Sequence, residues 1–538
     1  MRAGFAWDIP ERLNIADVCC DRWARTSPEK VAVIHRFEDG RREVWTYAQL
    51  KAASDSLAAV LAAGGVVQGD RVAILMAQNP RVLVAHFAAM KLGAVSLPLF
   101  TLFGDDALRY RLLDSGAKAV IVDSAVEEKL RAITNDLPDL SLILSTRPST
   151  CTSTRPSTRP STRARKGEMT LDEAMAQAPR GFRAAATGAE DPAVMIYTSG
   201  TTGEPKGVLH AHRFLYGHLP CMELSQGGFP TPGDIGWTPA DWAWIGGLMD
   251  MALPCLFYGV PLISCRLAKF DPDAALALIV ENGVSNSFLP PTALRLMRQV
   301  TVPNGLRLRA VGSGGEALGA DLLEWGRGHL GCAINEFYGQ TEANLVVAAC
   351  DGVMDRVPGA MGLPVPGHDV AILGPGDTPV GAGEVGEVCI RAPDPVMMLG
   401  YWNKPEETAQ KVVNGWLRTG DLATLRGDAQ MVFHGRDDDV ITSAGYRVGP
   451  VEIEQALTSH PDVVVAAVVG EPDPIRTQII VAHVVLRDGA EWSGLEEALK
   501  ARVRKKVSAH VVPRKIIRAD SLPTTATGKI LRRALRSL

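Results

Sequence analysis

The sequence predicts an α/β fold: two α/β subdomains and a β-rich subdomain form a large amino-terminal region, and a small α+β domain follows. Short apolar segments alternate with amphipathic ones over residues 46–144 and again from Asp191 to beyond residue 340. Such alternation is typical of parallel strands joined by helical crossovers. The composition, 46% hydrophobic and 22% charged, is that of an ordinary globular protein. A length of 538 residues allows three or four structural units.

The elements follow one another in a regular order in the first half of the chain. TYAQLKAASDSLAAVLAA predicts an amphipathic helix, and RVAILMA predicts a buried strand. NPRVLVAHFAAMKLG returns to helix, and AVSLPL and KAVIVD predict two further strands. Residues 145–165 interrupt this order with an Arg/Ser/Thr/Pro repeat that has almost no apolar residue, and we interpret them as a surface insertion.

The second half begins with the strand AVMIY and ends in a separate unit. HDVAILG, GEVCI and MVFHG predict a β-rich segment between about residues 359 and 434. VEIEQALTSH and SGLEEALKARVRKKV predict helices, with the strands VVVAAVVG and QIIVAHVVL between them. The polar stretch Arg436–Asp438 separates these two patterns. We therefore expect a large domain over residues 1–435 and a small one over residues 436–538.

Charge, cysteines and hydropathy exclude several classes of protein. The net charge of −4 argues against a chain-wide attraction to nucleic acid or to anionic membranes. Nine cysteines without a CxxC pair predict reduced core residues, and the absence of HExxH argues against a zinc protease. The amino terminus has no secretory apolar run, and no segment reaches the ~18 apolar residues needed to span a bilayer. We expect a cytoplasmic enzyme without nucleic-acid or membrane partners.

A phosphate-binding loop is the strongest local prediction. YTSGTTGEPKG, residues 197–207, places three glycines, four Ser and Thr hydroxyl side chains and Lys206 directly after a buried strand. Glycines allow successive backbone N–H groups to converge on an anion, hydroxyls add donors, and lysine adds a positive charge. A solvated turn is the alternative interpretation. The segment does not satisfy the Walker pattern GxxxxGK[ST], which excludes a motor or GTPase at this motif.

This segment resembles the phosphate-binding motif of the adenylate-forming superfamily, which includes acyl-CoA synthetases, luciferases and peptide-synthetase adenylation domains. The resemblance runs from about residue 12 to 536, and it is closest to the medium-chain and acetyl-CoA synthetase-like branch. Six further segments match in the family's order: WTPADWAWIGG at 237–247, GGEAL at 314–318, YGQTE at 338–342, WLRTGDLA at 416–423, GRDDDVITSAGYRVGPVEIE at 435–454 and TATGKILRR at 525–533.

The resemblance implies two half-reactions and their site residues. A carboxylic acid and MgATP give acyl-AMP and pyrophosphate, and CoA then displaces AMP, so the acid, ATP, Mg²⁺ and CoA are the expected ligands. Lys206, Thr341, Glu342 and Lys529 match catalytic positions, with Glu342 as the Mg²⁺ ligand and Lys529 as the lysine of adenylation. The positions that match the nucleotide site are Thr198, Ser199, Gly200, Thr201, Thr202, Gly203, Gly315, Glu316, Ala317, Tyr338, Gly339, Gln340, Asp421 and Arg436.

Some of these residues keep a structural alternative when they are considered alone. Glu342 suits a charge at the start of a helix. Arg436 suits a surface ion pair with the acidic run 437–439, and Lys529 suits a solvated charge beside Arg532 and Arg533. Within the resemblance, Asp421 matches the acceptor of the ribose hydroxyls and Arg436 supports the ribose.

The resemblance also implies that the small domain is mobile and rotates between the two half-reactions. Asp438 matches the hinge. Ala444, Gly445 and Arg447 match the strip that lines the pantetheine tunnel, with Arg447 near the AMP phosphate. Residues 500–538 hold twelve Lys and Arg against one acidic residue, which favours an anionic partner such as the CoA 3′-phosphate. The candidates for that contact are Arg502, Arg504, Lys505 and Lys506.

The acid substrate is predicted only by class. The positions that match the acyl pocket are Trp244, Ile245, Gly246, Gly314 and Gly339. We expect the three glycines to leave space beyond a two-carbon acid, which favours short- or medium-chain aliphatic or aryl monocarboxylates. An acetyl-, propionyl- or benzoate-type CoA ligase, a ligase that passes the acyl group to a carrier protein, and a catalytically silent nucleotide or acyl sensor stay open. A homodimer also stays open.

Overall fold

The structure is a computed structural model of the chain. It describes residues 4–146, 169–179, 181–198, 204–267, 269–316, 318–357, 359–443, 446–473, 477–508, 511–525 and 528–536. Most of the predicted insertion, from residue 147 to 165, lies outside the described residues. Within them, twenty-seven strands form three sheets, and sixteen α-helices cover these sheets.

The first sheet in the described residues has eight strands and carries the predicted phosphate loop near one edge. Its central strands are parallel, and the strand pair on either side of the loop is antiparallel. In spatial order, its strands are Gly400–Tyr401, Lys206–Ala211, Pro192–Thr198, Val95–Pro98, Arg71–Leu75, Ala119–Val122, Leu142–Ser145 and Met169–Thr170.

The second sheet has fourteen strands in the described residues, parallel in one half and antiparallel in the other. The strand Ala360–Pro364 pairs on both sides, so the predicted β-rich segment continues the parallel sheet instead of forming a sheet of its own. Thirteen strands follow one another in the spatial order Val370–Leu373, Val385–Arg391, Trp416–Leu425, Met431–Arg436, Ala360–Pro364, Ala343–Ala349, Ile334–Gln340, Ala310–Gly314, Asn286–Phe288, Gly236–Trp237, Leu262–Cys265, Val31–Arg36 and Arg42–Thr46, and Val412–Val413 pairs with Trp416–Leu425.

The third sheet has five described strands, all from the carboxy-terminal part of the chain. The strand Met431–Arg436 is the last strand of the second sheet, and the next strand, Ile441–Ser443, already belongs to the third. The strands of this sheet are Tyr446–Val448, Ile441–Ser443, Thr477–Leu486, Val463–Asp473 and Lys515–Arg518. The change of sheet therefore lies between Arg436 and Ile441.

The helices begin and end at residues that favour these positions. Thr46 and Gln49 form a capping box at the start of Tyr47–Ala63, and Asn79 with Pro80 starts the next helix. The α-helices of the described residues are Arg22–Thr26, Tyr47–Ala63, Pro80–Lys91, Asp105–Ser115, Glu127–Ile133, Leu171–Gln177, Phe214–Ser225, Ile245–Gly247, Leu253–Tyr258, Pro272–Asn282, Pro291–Met297, Ala320–Trp325, Pro405–Lys411, Pro450–Thr458, Leu495–Lys506 and Arg532–Leu535.

Separate hydrophobic cores support these layers. The largest cluster includes Phe87 and Phe214 and joins helices that pack between the first two sheets, while Ile453, Val468 and Leu499 belong to the core of the third sheet. The eight cysteines among the described residues are buried and free, as the sequence predicts. The α/β fold class is confirmed, and the sheets meet at a cleft that holds most of the predicted site.

Candidate active site

A cleft of about 1460 Å³ brings the predicted catalytic residues together. Its walls come from the first two sheets and from the carboxy-terminal unit. The predicted site residues that line it are Thr198, Lys206, Trp244, Gly315, Glu316, Tyr338, Gly339, Gln340, Thr341, Glu342, Asp421, Arg436 and Lys529. Residues up to 331 positions apart in the chain therefore share one cavity.

The predicted phosphate loop connects two paired strands, the second and third from one edge of the first sheet. Thr198 ends one strand and pairs with Lys206, which begins the next, so the two ends of the loop are held together by the sheet. Ser199, Gly200, Thr201, Thr202 and Gly203 lie outside the described residues. Both described ends of the segment, Thr198 and Lys206, line the cleft.

A tight turn between two buried strands presents Thr341 and Glu342. Gln340 and Ala343 pair across this turn, so Glu342 does not lie at the start of a helix. The Tyr401 hydroxyl donates a hydrogen bond to Glu342 Oε1 at 2.6 Å, and Lys206 Nζ lies 4.8 Å from the centre of the Tyr401 ring. The turn, the tyrosine and the lysine therefore form one side of the cleft, where a cation and a carboxylate face the same space.

Asp421 is the centre of a second polar group. The Tyr338 hydroxyl and Gln340 Nε2 both donate to Asp421 Oδ2 at 2.6 Å, and Arg436 lies 3.9 Å from Oδ1. Burial raises the pKa of Asp421, and these three partners oppose the change. Arg436 faces Asp421 across neighbouring strands.

Lys529 reaches the cleft from the carboxy-terminal unit. Its loop is closed by the backbone N–H of Thr525, which donates to the Lys529 carbonyl at 2.7 Å, and the Lys529 N–H donates to Thr525 Oγ1 at 3.1 Å. A Cβ added at Gly315 would lie 3.6 Å from Lys529 Cε and 3.6 Å from the Trp244 ring. The lysine side chain therefore lies where the predicted adenine strip and the predicted acyl pocket meet.

Sequence reasoning missed several residues of the cleft wall, among them Tyr401, Arg295 and Glu336. Arg295 forms an ion pair with Glu316 at 2.7 Å, and Ala317 lies outside the described residues. Glu336 Oε1 accepts the N–H of Leu318 at 3.1 Å, and burial raises the pKa of Glu336 to about 7. The one available sequence clue was the position of Glu336, two residues before Tyr338 on the same strand face.

The prediction that three glycines leave open space in the acyl pocket is wrong. A Cβ at Gly246 would lie 2.8 Å from the Phe288 ring, and one at Gly314 would lie 2.6 Å from both the ring and the carbonyl oxygen of Phe337. At Gly339 it would lie 2.4 Å from the backbone nitrogen of Leu345. Neighbouring rings and backbone already fill the volume of the missing side chains, so these glycines permit close packing.

Aromatic rings form the wall at this end of the cleft. The centres of the Trp244 and Phe288 rings are 5.5 Å apart, and those of Phe288 and Phe337 are 5.6 Å apart. Trp244 and Phe337 line the cleft, whereas Ile245 is buried in the main core. The wall is therefore apolar where the resemblance places the acyl group.

The predicted hinge lies where the chain passes from the second sheet to the third. Asp438 lies between the last strand of the second sheet and the first of the third, in the short 3₁₀ turn Asp437–Asp439. Ala444 and Gly445 lie outside the described residues, and Arg447 belongs to the strand Tyr446–Val448. Of the four basic candidates for CoA, Lys506 lines the cleft and Arg502 bonds Ser459.

The carboxylate of Glu342 fits Mg²⁺ as a single protein ligand that would act together with substrate phosphates. In the described part of the chain, no group of three or more His, Cys, Asp or Glu side chains could hold a metal ion by itself. Mg²⁺ is commonly held by one or two carboxylates together with substrate phosphates, and Glu342 beside the phosphate loop matches that pattern. Separately, no helix among the described residues is long and apolar enough to cross a bilayer.

Known proteins resemble this chain in both sequence and fold. A family model described as AMP-binding enzyme matches residues 20–402, and one described as AMP-binding enzyme C-terminal domain matches residues 452–529. The acetyl-coenzyme A synthetase of Bacillus subtilis is 31% identical, with 98% of this chain and 90% of that protein covered. The acyl-coenzyme A synthetase ACSM4 of Rattus norvegicus is 30% identical, with 98% and 91% covered.

Two solved structures of CoA ligases have the same fold as this chain. The anthranilate CoA ligase AuaEII, solved in complex with anthranoyl-AMP, has a TM-score of 0.88 and 26% identity, with 98% of each chain covered. A benzoate CoA ligase from Burkholderia xenovorans has a TM-score of 0.84 and 28% identity, with 97% of this chain and 99% of that chain covered. The two family models, the relatives and the shared fold together show that the chain belongs to the AMP-binding enzyme family of the adenylate-forming superfamily, among the AMP-forming acyl-CoA synthetases.

Proposed function

We propose that this chain joins a monocarboxylic acid to CoA in two steps at the cleft. In the first step, the acid and MgATP give acyl-AMP and pyrophosphate. In the second, the CoA thiol takes the acyl group and AMP leaves. The observation that carries the proposal is the position of Lys529, which lies beside Gly315 and Trp244 in the same cleft as Lys206, Glu342 and Asp421.

The first step needs positive charge around the α-phosphate. A carboxylate oxygen of the acid bonds to the α-phosphorus, and the bond from that phosphorus to the pyrophosphate oxygen breaks. Negative charge builds up on phosphate oxygens, so fixed cations and donors stabilise the transition state. Lys206 and the loop after Thr198 face the leaving pyrophosphate, and Thr341 faces the α-phosphate. Mg²⁺ at Glu342 would neutralise charge on the phosphate oxygens.

Two further groups hold the reactants during this step. Lys529 places its ammonium between the attacking carboxylate and the α-phosphate, where it attracts both. Asp421 accepts hydrogen bonds from the ribose hydroxyls, and Tyr338 and Gln340 orient its carboxylate for that role. Orientation of this kind lowers the entropy cost of bringing the acid and ATP together.

The second step needs a different surface at the same place. Lys529 fills the space that CoA needs to approach the acyl carbonyl. Rotation about Asp438 removes the lysine loop and brings the 444–447 strip to the cleft, with Arg447 near the AMP phosphate. The CoA sulfur then bonds to the carbonyl carbon, and the bond to the AMP oxygen breaks. The position of Asp438 between the last strand of the second sheet and the first strand of the third supports such an exchange.

The acid is a short- or medium-chain aliphatic or an aryl monocarboxylate. The aromatic wall of Trp244, Phe288 and Phe337 supports an apolar or aryl body next to the carboxylate. The solved relatives that act on benzoate and anthranilate support the aryl alternative.

A pyrophosphate-release screen tests the proposal. The chain is incubated with MgATP and acids from C2 to C10 or aryl acids, with and without CoA, and the thioester is measured by mass spectrometry. We expect pyrophosphate and AMP in equal amounts, with an acyl-CoA product. Pyrophosphate exchange without any thioester would indicate a carrier-protein ligase instead, and no turnover with any acid would indicate a silent sensor.

A further inference from the structure

A buried polar pair lies directly behind the predicted acyl pocket. Asn344 Nδ2 donates a hydrogen bond to Asp250 Oδ1 at 2.6 Å, and both residues are almost fully buried. Asp250 lies four residues after Gly246 in one continuous helical segment, on the same face. The Cα of Asn344 lies 2.7 Å from where a Cβ of Gly339 would be. The pair therefore adjoins two of the positions that bound the pocket.

A neighbouring histidine determines how the Asn344 amide is oriented. His218 Nδ1 lies 2.7 Å from the Phe214 carbonyl, to which it donates, so its other ring nitrogen, Nε2, is an acceptor. Burial lowers the pKa of His218 to about 3, which keeps the ring neutral. Asn344 Nδ2 lies 3.1 Å from that Nε2, so both amide hydrogens are used, one on His218 and one on Asp250.

This arrangement leaves two oxygens with unused hydrogen-bonding capacity. Among the described residues, Asn344 Oδ1 accepts no hydrogen bond, and Asp250 receives only the one from Asn344. A carboxyl group offers about four acceptor positions and an amide oxygen two. Buried polar groups normally have hydrogen-bond partners, because an unmet one destabilises the folded state. Such a pair beside an apolar pocket is suited to a polar group of a ligand.

The positive charge of Lys529 influences the pKa of Asp250. Burial raises the pKa of Asp250, while the hydrogen bond from Asn344 and the positive charge of Lys529 oppose that change. Asp250 therefore lies within electrostatic range of the lysine that contacts the substrate carboxylate in the proposed reaction. The carboxylate of a bound acid would lie at Lys529, and the rest of the acid would extend towards Asp250.

We propose that Asp250 and Asn344 determine specificity by binding a hydroxyl group at the end of the acid remote from its carboxylate. This inference rests on the proposed function, and it narrows the substrate class to hydroxy acids. A hydroxyl suits both protonation states of Asp250, since it donates to a carboxylate or accepts from a carboxyl. When it accepts from a carboxyl, its one hydrogen is available to donate to Asn344 Oδ1.

Two other kinds of acid fit this end of the pocket less well. An unsubstituted acid would offer the Asp250 and Asn344 oxygens no hydrogen-bond partner, at a cost in transition-state binding. A dicarboxylate would place its second negative charge against Asp250. The pair therefore favours an acid with a hydroxyl over both an unsubstituted acid and a dicarboxylate.

The test compares acids that differ only in one hydroxyl. kcat/KM for thioester formation is measured for butanoate to octanoate and their terminal hydroxy derivatives, and for benzoate with its 3- and 4-hydroxy derivatives. We expect at least one hydroxy acid to exceed its unsubstituted partner by about 10- to 100-fold. Equal or lower kcat/KM for every hydroxy acid would overturn the proposal.

Variants separate recognition from stability. In Asp250→Leu the preferred hydroxy acid should lose its advantage while the unsubstituted acid keeps or gains activity, so that the ratio falls to about one. Asp250→Asn, which keeps the size of the side chain, should lower the ratio less. Asp21→Asn is the control, because Asp21 is also a buried carboxyl, but it pairs with Lys91 away from the cleft. An equal fall for both acids in Asp250→Leu would show a purely structural role.

Binding of acyl-adenylate analogues tests the same inference without turnover. Acyl sulfamoyl adenosines with and without the hydroxyl are titrated into the wild-type chain by calorimetry. Tighter binding of the hydroxylated analogue supports the inference even if no thioester forms with any acid, in which case only the proposed CoA step fails. Equal Kd values, together with normal thioester formation, would overturn the inference and leave the proposed function intact.

Discussion

The hydroxyl of Tyr401 donates a hydrogen bond to Oε1 of Glu342 at 2.6 Å. The same ring lies 4.8 Å from Lys206 Nζ, so one tyrosine contacts both a predicted metal ligand and a predicted phosphate-binding cation. Because a carboxylate that binds a metal is oriented by its hydrogen-bond partners, Tyr401 belongs to the functional site although it matches none of the motifs.

Replacing Tyr401 by Phe should weaken the use of Mg²⁺ and leave the fold intact. The ring that faces Lys206 remains, and only the hydrogen bond to Glu342 is lost. We expect the Mg²⁺ concentration for half-maximal pyrophosphate exchange to rise about tenfold. Tyr258→Phe is the matched control, since its hydroxyl bonds Glu223 outside the cleft. An unchanged Mg²⁺ dependence in Tyr401→Phe would show that Tyr401 does not influence Mg²⁺ binding.

Replacing Lys529 by Ala should slow adenylation much more than thioester formation. The ammonium stabilises charge that develops at the α-phosphate, and loss of one such donor typically costs about 10²–10³ in rate. Pyrophosphate exchange measures the first step, and thioester formation from supplied acyl-AMP measures the second. Lys515→Ala is the control, because that lysine pairs with Glu471 on the surface of the same unit. Intact exchange in Lys529→Ala would contradict the assignment.

Replacing Asp438 by Pro should separate the two half-reactions. Proline restricts φ at the proposed hinge, so the small domain would keep one orientation. Since Lys529 already lies in the cleft, pyrophosphate exchange should persist while CoA thioester formation is lost. Both rates are measured on the same preparation, so each serves as the control for the other. Equal loss of both would argue against Asp438 as the hinge.

Replacing Glu336 by Gln should flatten the pH dependence of stability. Burial raises the pKa of Glu336 from 4.5 to about 7, so between these values the folded state holds a proton that the unfolded state has lost. Stability therefore falls as the pH rises from about 4.5 to 7, by at most about 3 kcal/mol. Gln keeps an acceptor for the Leu318 N–H and has no such penalty. Urea unfolding of the wild type and of Glu336→Gln at pH 5 and pH 8 measures the change in the free energy of unfolding. An equal change in the two proteins would contradict the prediction.

Replacing Gly314 by Ala should destabilise the fold. The new Cβ would lie 2.6 Å from the Phe337 carbonyl oxygen, which the strand pairing holds in place, and overpacking of this kind costs about 1–3 kcal/mol. Gly328→Ala is the control, because nothing lies within 4 Å of its Cβ position. Thermal unfolding compares the two. If Gly314→Ala unfolded at the wild-type temperature, the packing at this position would be looser than the structure indicates.

The elements that carry the chemistry were predictable from local pattern. The alternation of strands and helices indicates parallel sheets, and the glycine- and hydroxyl-rich segment after the strand Pro192–Thr198 indicates phosphate binding, because these properties reside in consecutive residues. The motifs named Lys206, Glu342, Asp421 and Lys529, and all four line one cleft. The β-rich segment was also recognised, but its union with the parallel sheet depends on the pairing of Ala360–Pro364 with two neighbours, which no local pattern contains.

The sequence by itself determined the fold class, the family and the main charged groups of the site, because residue type and order suffice for these. Only the tertiary structure decided what surrounds those groups. Tyr401 and Glu342 are 59 positions apart, and Asn344 and Asp250 are 94 positions apart. Rings and backbone fill the space beside Gly246, Gly314 and Gly339. Distances and packed volumes arise only when the chain has folded, and they, more than the motifs, shape the pocket that receives the acid.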